Sequence, residues 1–277
     1  MRDPLYLESA GHRTWLKWHR ARRTVSDPEF TATRILEAMR LGASVEVDLV
    51  VHADHGCAIL HDLHLDRSTT GSGPVGETSA DELRGLRLRG NDGAPINDRV
   101  MLLEDLCRLL AENPAHPDAL LQLDFKEDFS RLDGRTIANF GRAVGPVAGH
   151  MILSGGDAAA ISALAAQTPS LGTGYDPTYP GVLDTLKTAE DFAEFVARAL
   201  RTAPTAAIIY LDYELILAAD GRGVDIVGAI HADGRRVDAW TIRNVCDDTI
   251  AATRRLLALR VDQITTDDPE GLAGAMT

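Results

Sequence analysis

Eight short apolar runs recur along this chain, and an amphipathic segment separates each from the next. The runs are Trp15–Trp18, Val45–Val50, Leu120–Phe125, Met151–Leu153, Leu171–Gly174, Ala207–Leu211, Val237–Ile242 and Gln263–Thr265. Between them, Thr31–Leu41, Leu102–Leu110, Arg135–Val144, Ala158–Ala166, Ala189–Leu200 and Thr249–Leu259 carry helical spacing, with a shorter candidate at Gly223–His231. Strands that alternate with helices form parallel sheets, because a parallel neighbour can be reached only through a long crossover. Eight such units suit a closed TIM (β/α)8 barrel better than an open sheet. No Gly-x-Gly-x-x-Gly follows the first run, which weakens the dinucleotide-binding alternative.

The expected fold class is therefore α/β, a TIM barrel with a small insertion after the second strand. We read residues 1–277 as one domain. The segment 61–100 breaks the rhythm, being rich in Gly, Ser, Thr and Asp, and is expected to form a small insert over the barrel mouth.

Bulk properties narrow the function. With 28 Lys and Arg against 41 Asp and Glu, the net charge is −13, which argues against nucleic acid as a partner. Cys57, Cys107 and Cys246 are too few and too widely spaced for a disulfide framework or a Cys-x-x-Cys metal motif. No apolar run is long enough for a membrane span. No basic region followed by an apolar stretch opens the chain, so a cytoplasmic location is expected. An anionic substrate approaching so acidic a protein needs a local cation or a few well-placed basic side chains.

TIM-barrel chemistry sits where strands end, at the C-terminal face. In Glu46-Val47-Asp48 the two carboxylates share one strand face and project inward together. Their repulsion is resolved by a hard divalent cation with oxygen ligands, Mg²⁺ or Ca²⁺. Asp124 and Lys126 repeat the spacing on the next strand, as a third ligand and a group for the substrate's anionic oxygens. His19, at the end of the first strand with Arg20, and His61, after the apolar run Cys57–Leu60, suit a general acid and base. The other seven histidines read as surface or hydrogen-bonded structural residues.

These residues fall in motifs. Trp18-His19-Arg20-Ala21 followed by Pro28-Glu29-Phe30-Thr31 resembles the His-Arg-Gly and Pro-Glu-Asn-Thr blocks of the glycerophosphodiester phosphodiesterases. Gly42 to Leu49 is similar to that family's Gly-Ala-x-x-Glu-x-Asp strand. The most specific block runs from Leu60-His61-Asp62 through Leu65 to Gly73, similar to His-Asp-x-x-Leu-x-Arg-Thr-Thr-x-Gly-x-Gly. Leu123 to Lys126, Ala239 to Ile242 and Thr266 to Pro269 resemble Ile-Glu-x-Lys, Trp-Thr-Val and Thr-Asp-x-Pro. Ala21, Phe30, Asp124 and Arg243 depart from the pattern, standing where it has Gly, Asn, Glu and Asn.

The resemblance implies metal-dependent hydrolysis of a glycerophosphodiester to an alcohol and sn-glycerol 3-phosphate. It implies catalytic His19 and His61, metal ligands Glu46, Asp48 and Asp124, and phosphate contacts from Arg20 and Lys126. Trp240 is read either as an apolar wall beneath the substrate or as barrel packing. Arg243 is read either as a contact to a polar or anionic substituent or as an exposed salt bridge. The competing functions are a sugar-phosphodiester hydrolase on the same centre, a phospholipase D-like lipid enzyme, and a non-catalytic phosphodiester-binding barrel. Oligomeric state is not legible.

Overall fold

In the computed structural model, which describes residues 4–276, eight strands close into a parallel barrel of the TIM type. They are β1 (His12–Trp18), β2 (Ser44–Val51), β3 (Leu120–Phe125), β4 (Met151–Gly155), β5 (Gly172–Tyr175), β6 (Ile208–Asp212), β7 (Arg236–Ile242) and β8 (Gln263–Thr266). Each pairs in parallel with its successor, and β8 pairs with β1 to close the ring. All eight fall on the apolar runs of the sequence. Two antiparallel strands, Tyr6–Ser9 and Cys57–Ile59, extend β1 and β2 beyond the ring.

The helices form because their apolar positions recur on one face. Leu103–Glu112 buries Leu103, Leu106, Cys107 and Leu110, an i, i+3, i+4, i+7 stripe. Asp133 and Thr188 cap the helices Gly134–Val144 and Ala189–Thr202 through their side-chain oxygens. Helices outside the sequence reading include Tyr213–Asp220 and Pro269–Ala275. Tyr213–Asp220 abuts β6 directly and its apolar residues continue those of the strand, so no change of period marks the boundary.

Residues 61–100 hold the short helix Ala80–Gly85, capped by a reciprocal Ser79–Glu82 pair, and the hairpin Arg87–Arg89 with Pro95–Arg99. Leu65, Val75, Leu83 and Leu88 from this polar-looking segment are buried in the main core.

The barrel interior departs from the branched apolar filling usual for this fold. Lys17, Glu46, Asp48, Gln122, Ser154, Asp238, Gln263 and Thr265 are all buried. Register puts Asp48 beside Asp124 and Asp124 beside Ser154, so three adjacent strands bring polar side chains to one level.

Close strand packing also explains a glycine. A Cβ added at Gly155, on β4, would lie 2.6 Å from the backbone oxygen of Phe125 on β3, which cannot rotate away. Gly155→Ala is expected to destabilise the fold by about 1–3 kcal/mol, the usual cost of overpacking. Urea unfolding at neutral pH measures this, and an unchanged midpoint would show that the strands can separate locally.

Candidate active site

At the C-terminal end of the barrel, His19, Arg20, Glu46, His61, Asp124, Lys126, Trp240 and Arg243 line a single cavity of about 190 Å³. Asp48 lies directly behind its wall, fully buried. Every residue singled out in the sequence is thus at this one place. A roomier cavity of about 500 Å³ lies among the helices Leu103–Glu112 and Gly134–Val144 and contains none of them.

Both histidines are held from behind by an aspartate. His19 Nδ1 lies 2.5 Å from Asp267 Oδ1, and His61 Nδ1 lies 2.7 Å from Asp62 Oδ1. A carboxylate on Nδ1 selects the tautomer with the proton there and leaves Nε2 as the free, basic nitrogen. Burial draws both imidazoles below their ordinary value, and the paired aspartates pull the other way. Burial pushes Asp267 up, but the His19 hydrogen bond together with the charges of His19, Arg22 and Arg20 holds it below the usual carboxylate range. Asp62 is likewise opposed by burial yet held down to about 2 by Arg67 and His61.

Glu46, Asp48 and Asp124 each offer an oxygen within 4.8 Å of the other two. Burial pushes Asp48 up to about 7, and the neighbouring Glu46 adds to this. Lys126 Nζ stands 2.6 Å from Asp48 Oδ1 and also bonds Asp124, while Arg20 Nε is 3.4 Å from Asp48 Oδ2. Neither Asp48 oxygen nevertheless has a hydrogen bond of proper geometry. Two buried, unsatisfied oxygens between two further carboxylates fit a hard divalent cation, for which all-oxygen donors are the preferred set. Lys126 is opposed by burial but held well above its ordinary value by Asp124 and Asp48.

The loop after β1 is bent to serve this cluster. Arg20 adopts a left-handed conformation (φ 52°), and its backbone N–H donates to Glu46 Oε2 at 2.9 Å. Its guanidinium bonds Glu29 Oε1 at 2.8 Å, fixing the side chain above Asp48.

A model of the glycerophosphoryl diester phosphodiesterase family matches residues 19–271, nearly the whole chain. The chain belongs to this family. It is accordingly a phosphodiesterase. A comparison with curated proteins finds none that matches. Among solved structures, the chain is similar to an Oleispira antarctica phosphodiesterase in complex with the product sn-glycerol-3-phosphate, at 19% identity over 94% of this chain and 96% of that one, with a TM-score of 0.67. It is also similar to a glycerophosphodiester phosphodiesterase from Agrobacterium tumefaciens, at 21% identity over 94% and 99%, TM-score 0.64. A third, from Thermotoga maritima, has 17% identity over 94% and 96%, TM-score 0.62.

Two departures from the family pattern fall where the backbone is least ordinary. Ala21 (φ 59°) and Phe30 (φ 59°) both occupy the left-handed region, where the family pattern has the permissive Gly and Asn. Both are buried, and Arg20 O accepts from Phe30 N–H at 2.9 Å, so packing and a loop hydrogen bond hold the strained shape. Among the described residues Arg243 makes no ion pair, and its charge reaches Asp212 only through space. Its side chain forms part of the cavity wall instead of a salt bridge.

The cavity also includes residues that sequence reasoning passed over, Lys17, Gln122, Tyr210 and Thr265, and the strand-end Asp176, to which it gave no role. Most stand two positions before a strand-end residue on the same face, which is the signal that would have found them. Asp176, at the end of β5, is pushed up to about 8, chiefly by burial, with the Asp124 charge adding to it against the Thr178 hydrogen bonds.

A carboxyl raised by folding favours the native state at low pH and works against it as pH rises. For Asp176 that cost accumulates from about pH 4, its ordinary range, to about pH 8. Asp176→Asn is therefore expected to be more stable than wild type at pH 8 by about 2–4 °C in Tm, with the gap closing towards pH 4. Thermal melts across this range read it directly; a gap that widens on acidification would mean the carboxyl is ionised in the fold.

Proposed function

We propose that this enzyme hydrolyses a glycerophosphodiester to an alcohol and sn-glycerol 3-phosphate, with Glu46, Asp48 and Asp124 holding one divalent cation. The observation that carries this reading is two Nδ1-anchored histidines on the same small cavity as Glu46 and Asp124, which cluster with the buried Asp48 behind its wall. The solved relative that holds sn-glycerol-3-phosphate supports the choice of product.

The cation, Mg²⁺ or Ca²⁺, would supply Lewis-acid neutralisation of the phosphodiester charge. The side chains do the rest. Arg20 and Lys126 bind the non-bridging oxygens, and their charges counter the acidic surroundings of the site. One histidine Nε2 takes the proton from the nucleophile, water or a neighbouring substrate hydroxyl whose cyclic product water then opens, and the other returns a proton to the leaving oxygen. Asp267 and Asp62 keep both rings in the productive tautomer and stabilise whichever imidazolium forms. Residues 61–100 deliver His61 and serve as a cover over the barrel mouth, tied to the rim by Arg67, which pairs with Asp62 inside the segment and Glu29 outside it. Trp240 forms the wall against the substrate's carbon skeleton, with its buried Nε1–H left for a substrate oxygen.

The position of Arg243 on the wall, outside any ion pair among the described residues, favours a second reading. This is a sugar phosphodiester whose hydroxyls or acid group the guanidinium would meet. A panel of glycerophosphodiesters and sugar phosphodiesters, with Mg²⁺, Ca²⁺ or EDTA, decides between the two. Metal-dependent release of glycerol 3-phosphate is the expected result. Turnover of sugar diesters alone would replace the substrate assignment, and no turnover with either metal would point to a binding protein. On the preferred substrate, His19→Ala and His61→Ala should each lower kcat by about 10²–10⁴-fold. An unchanged rate in either variant removes that histidine from proton transfer.

A further inference from the structure

At the floor of the cavity a buried lysine has no part in the chemistry above. Lys17 is 1% exposed, on β1, and its ammonium pairs with Asp238 Oδ2 on β7 at 3.1 Å. Asp238 also accepts from Gln263 Nε2 at 2.6 Å and Thr265 Oγ1 at 2.7 Å. A buried ion pair is weak evidence of stabilisation, because desolvation offsets most of its attraction.

What distinguishes this pair is where its remaining hydrogen bonds lead. Lys17 Nζ donates to Gln122 Oε1 on β3. An ammonium can only donate, so the Gln122 amide must turn its oxygen to Lys17 and its NH₂ the other way. That NH₂ donates to Ser154 Oγ on β4 at 2.8 Å. Ser154 has one proton, and with its oxygen accepting from Gln122 that proton goes to Asp124 Oδ1, at 2.7 Å. Every direction in the chain from Lys17 to Asp124 is thus fixed by donor chemistry, and Gln122 and Ser154 are both buried. The other Asp124 oxygen bonds Lys126.

We propose that Lys17, Gln122 and Ser154 form a relay that positions Asp124 for the divalent cation, making Lys17 a positioning residue for a metal ligand it does not touch. This rests on the reading of Glu46, Asp48 and Asp124 as the cation site. The aspartate at position 124 gives the relay its purpose. Aspartate is one methylene shorter than the glutamate of the family pattern, so its carboxylate has less reach and must be aimed. Ser154 holds Oδ1 from the β4 side and fixes the plane of the carboxylate beside Glu46 and Asp48.

The test is calorimetric titration of Mg²⁺ and of Ca²⁺ into the chelator-stripped full chain. Ser154→Ala removes the last link. Gln122→Met cuts Lys17 from Ser154 while leaving the Lys17–Asp238 pair intact. Leu106→Ala, in a helix outside the barrel, is a control for general destabilisation, with the Tm of each cation-free variant recorded. The two relay variants should bind the cation about 10- to 100-fold more weakly, as lost outer hydrogen bonds to metal ligands do. Leu106→Ala should bind like wild type even where its Tm falls further. Wild-type affinity in the relay variants, or an equal loss in Leu106→Ala, overturns the relay and leaves the cation site standing. Wild-type protein that binds neither ion overturns the cation site, and the relay with it.

Discussion

Carboxylates packed inside a barrel repel one another, and the arrangement of the other charges around this centre follows from that. Glu46, Asp48 and Asp124 lie within one ion's reach of each other, where bulk water cannot screen them. The protein answers with cations on either side. Lys126 and Arg20 stand against Asp48 from the rim, and Lys17 reaches the cluster from below through neutral hydrogen-bonding groups. Lys17 brings its own countercharge, Asp238, so this pair adds no net charge under the site. The basic neighbours make the acidic centre tolerable to fold, and on the proposed function it would keep its affinity for a cation from outside.

The same constraint explains why the loop after β1 is contorted. A straight continuation would carry Arg20 away from the cluster. The left-handed turn at Arg20 and Ala21 brings both the Arg20 N–H and its guanidinium back over Glu46 and Asp48. Alanine in such a conformation costs about 1–2 kcal/mol relative to the ordinary helical region. Strain of that size persists at a site when surrounding bonds over-determine the shape. Here they do: Glu29 grips both Arg20 and Arg22, and Phe30 N–H closes back on Arg20 O.

Much of this architecture was legible in the sequence because it is local. The eight strands follow from apolar runs, and the inward pairs Glu46/Asp48 and Asp124/Lys126 follow from the two-residue repeat of a strand. What escaped was set by closure of the ring. Asp267 stood out in the Thr-Asp-x-Pro resemblance, but its partner His19 lies 248 residues away, and Lys17 is 105 from Gln122. Asp238 and Lys17 sit on strands that do not neighbour one another, so neither residue betrays the other along the chain. A lysine inside a short apolar run reads as an edge or a break; only the closed barrel turns it inward with a partner waiting. The helix Tyr213–Asp220 was hidden for a different reason, since its N-cap Asp212 is also the last residue of β6 and no loop separates the two.

The net charge of −13 finds its resolution at this same face. A phosphodiester anion approaching so acidic a protein meets Arg20, Lys126 and Arg243 together on one cavity. Long-range repulsion is screened over about 8–10 Å in physiological salt, so the local groups govern the last approach. The ones nearest the carboxylates are already committed to them: Lys126 to Asp48 and Asp124, Arg20 to Asp48 and Glu29. On the proposed function, a divalent cation compensating the carboxylates would free those side chains for the phosphoryl oxygens. Substrate binding and cation binding would then be coupled through Lys126 and Arg20, because each of these groups can neutralise the carboxylates or the phosphate, but not both at full strength.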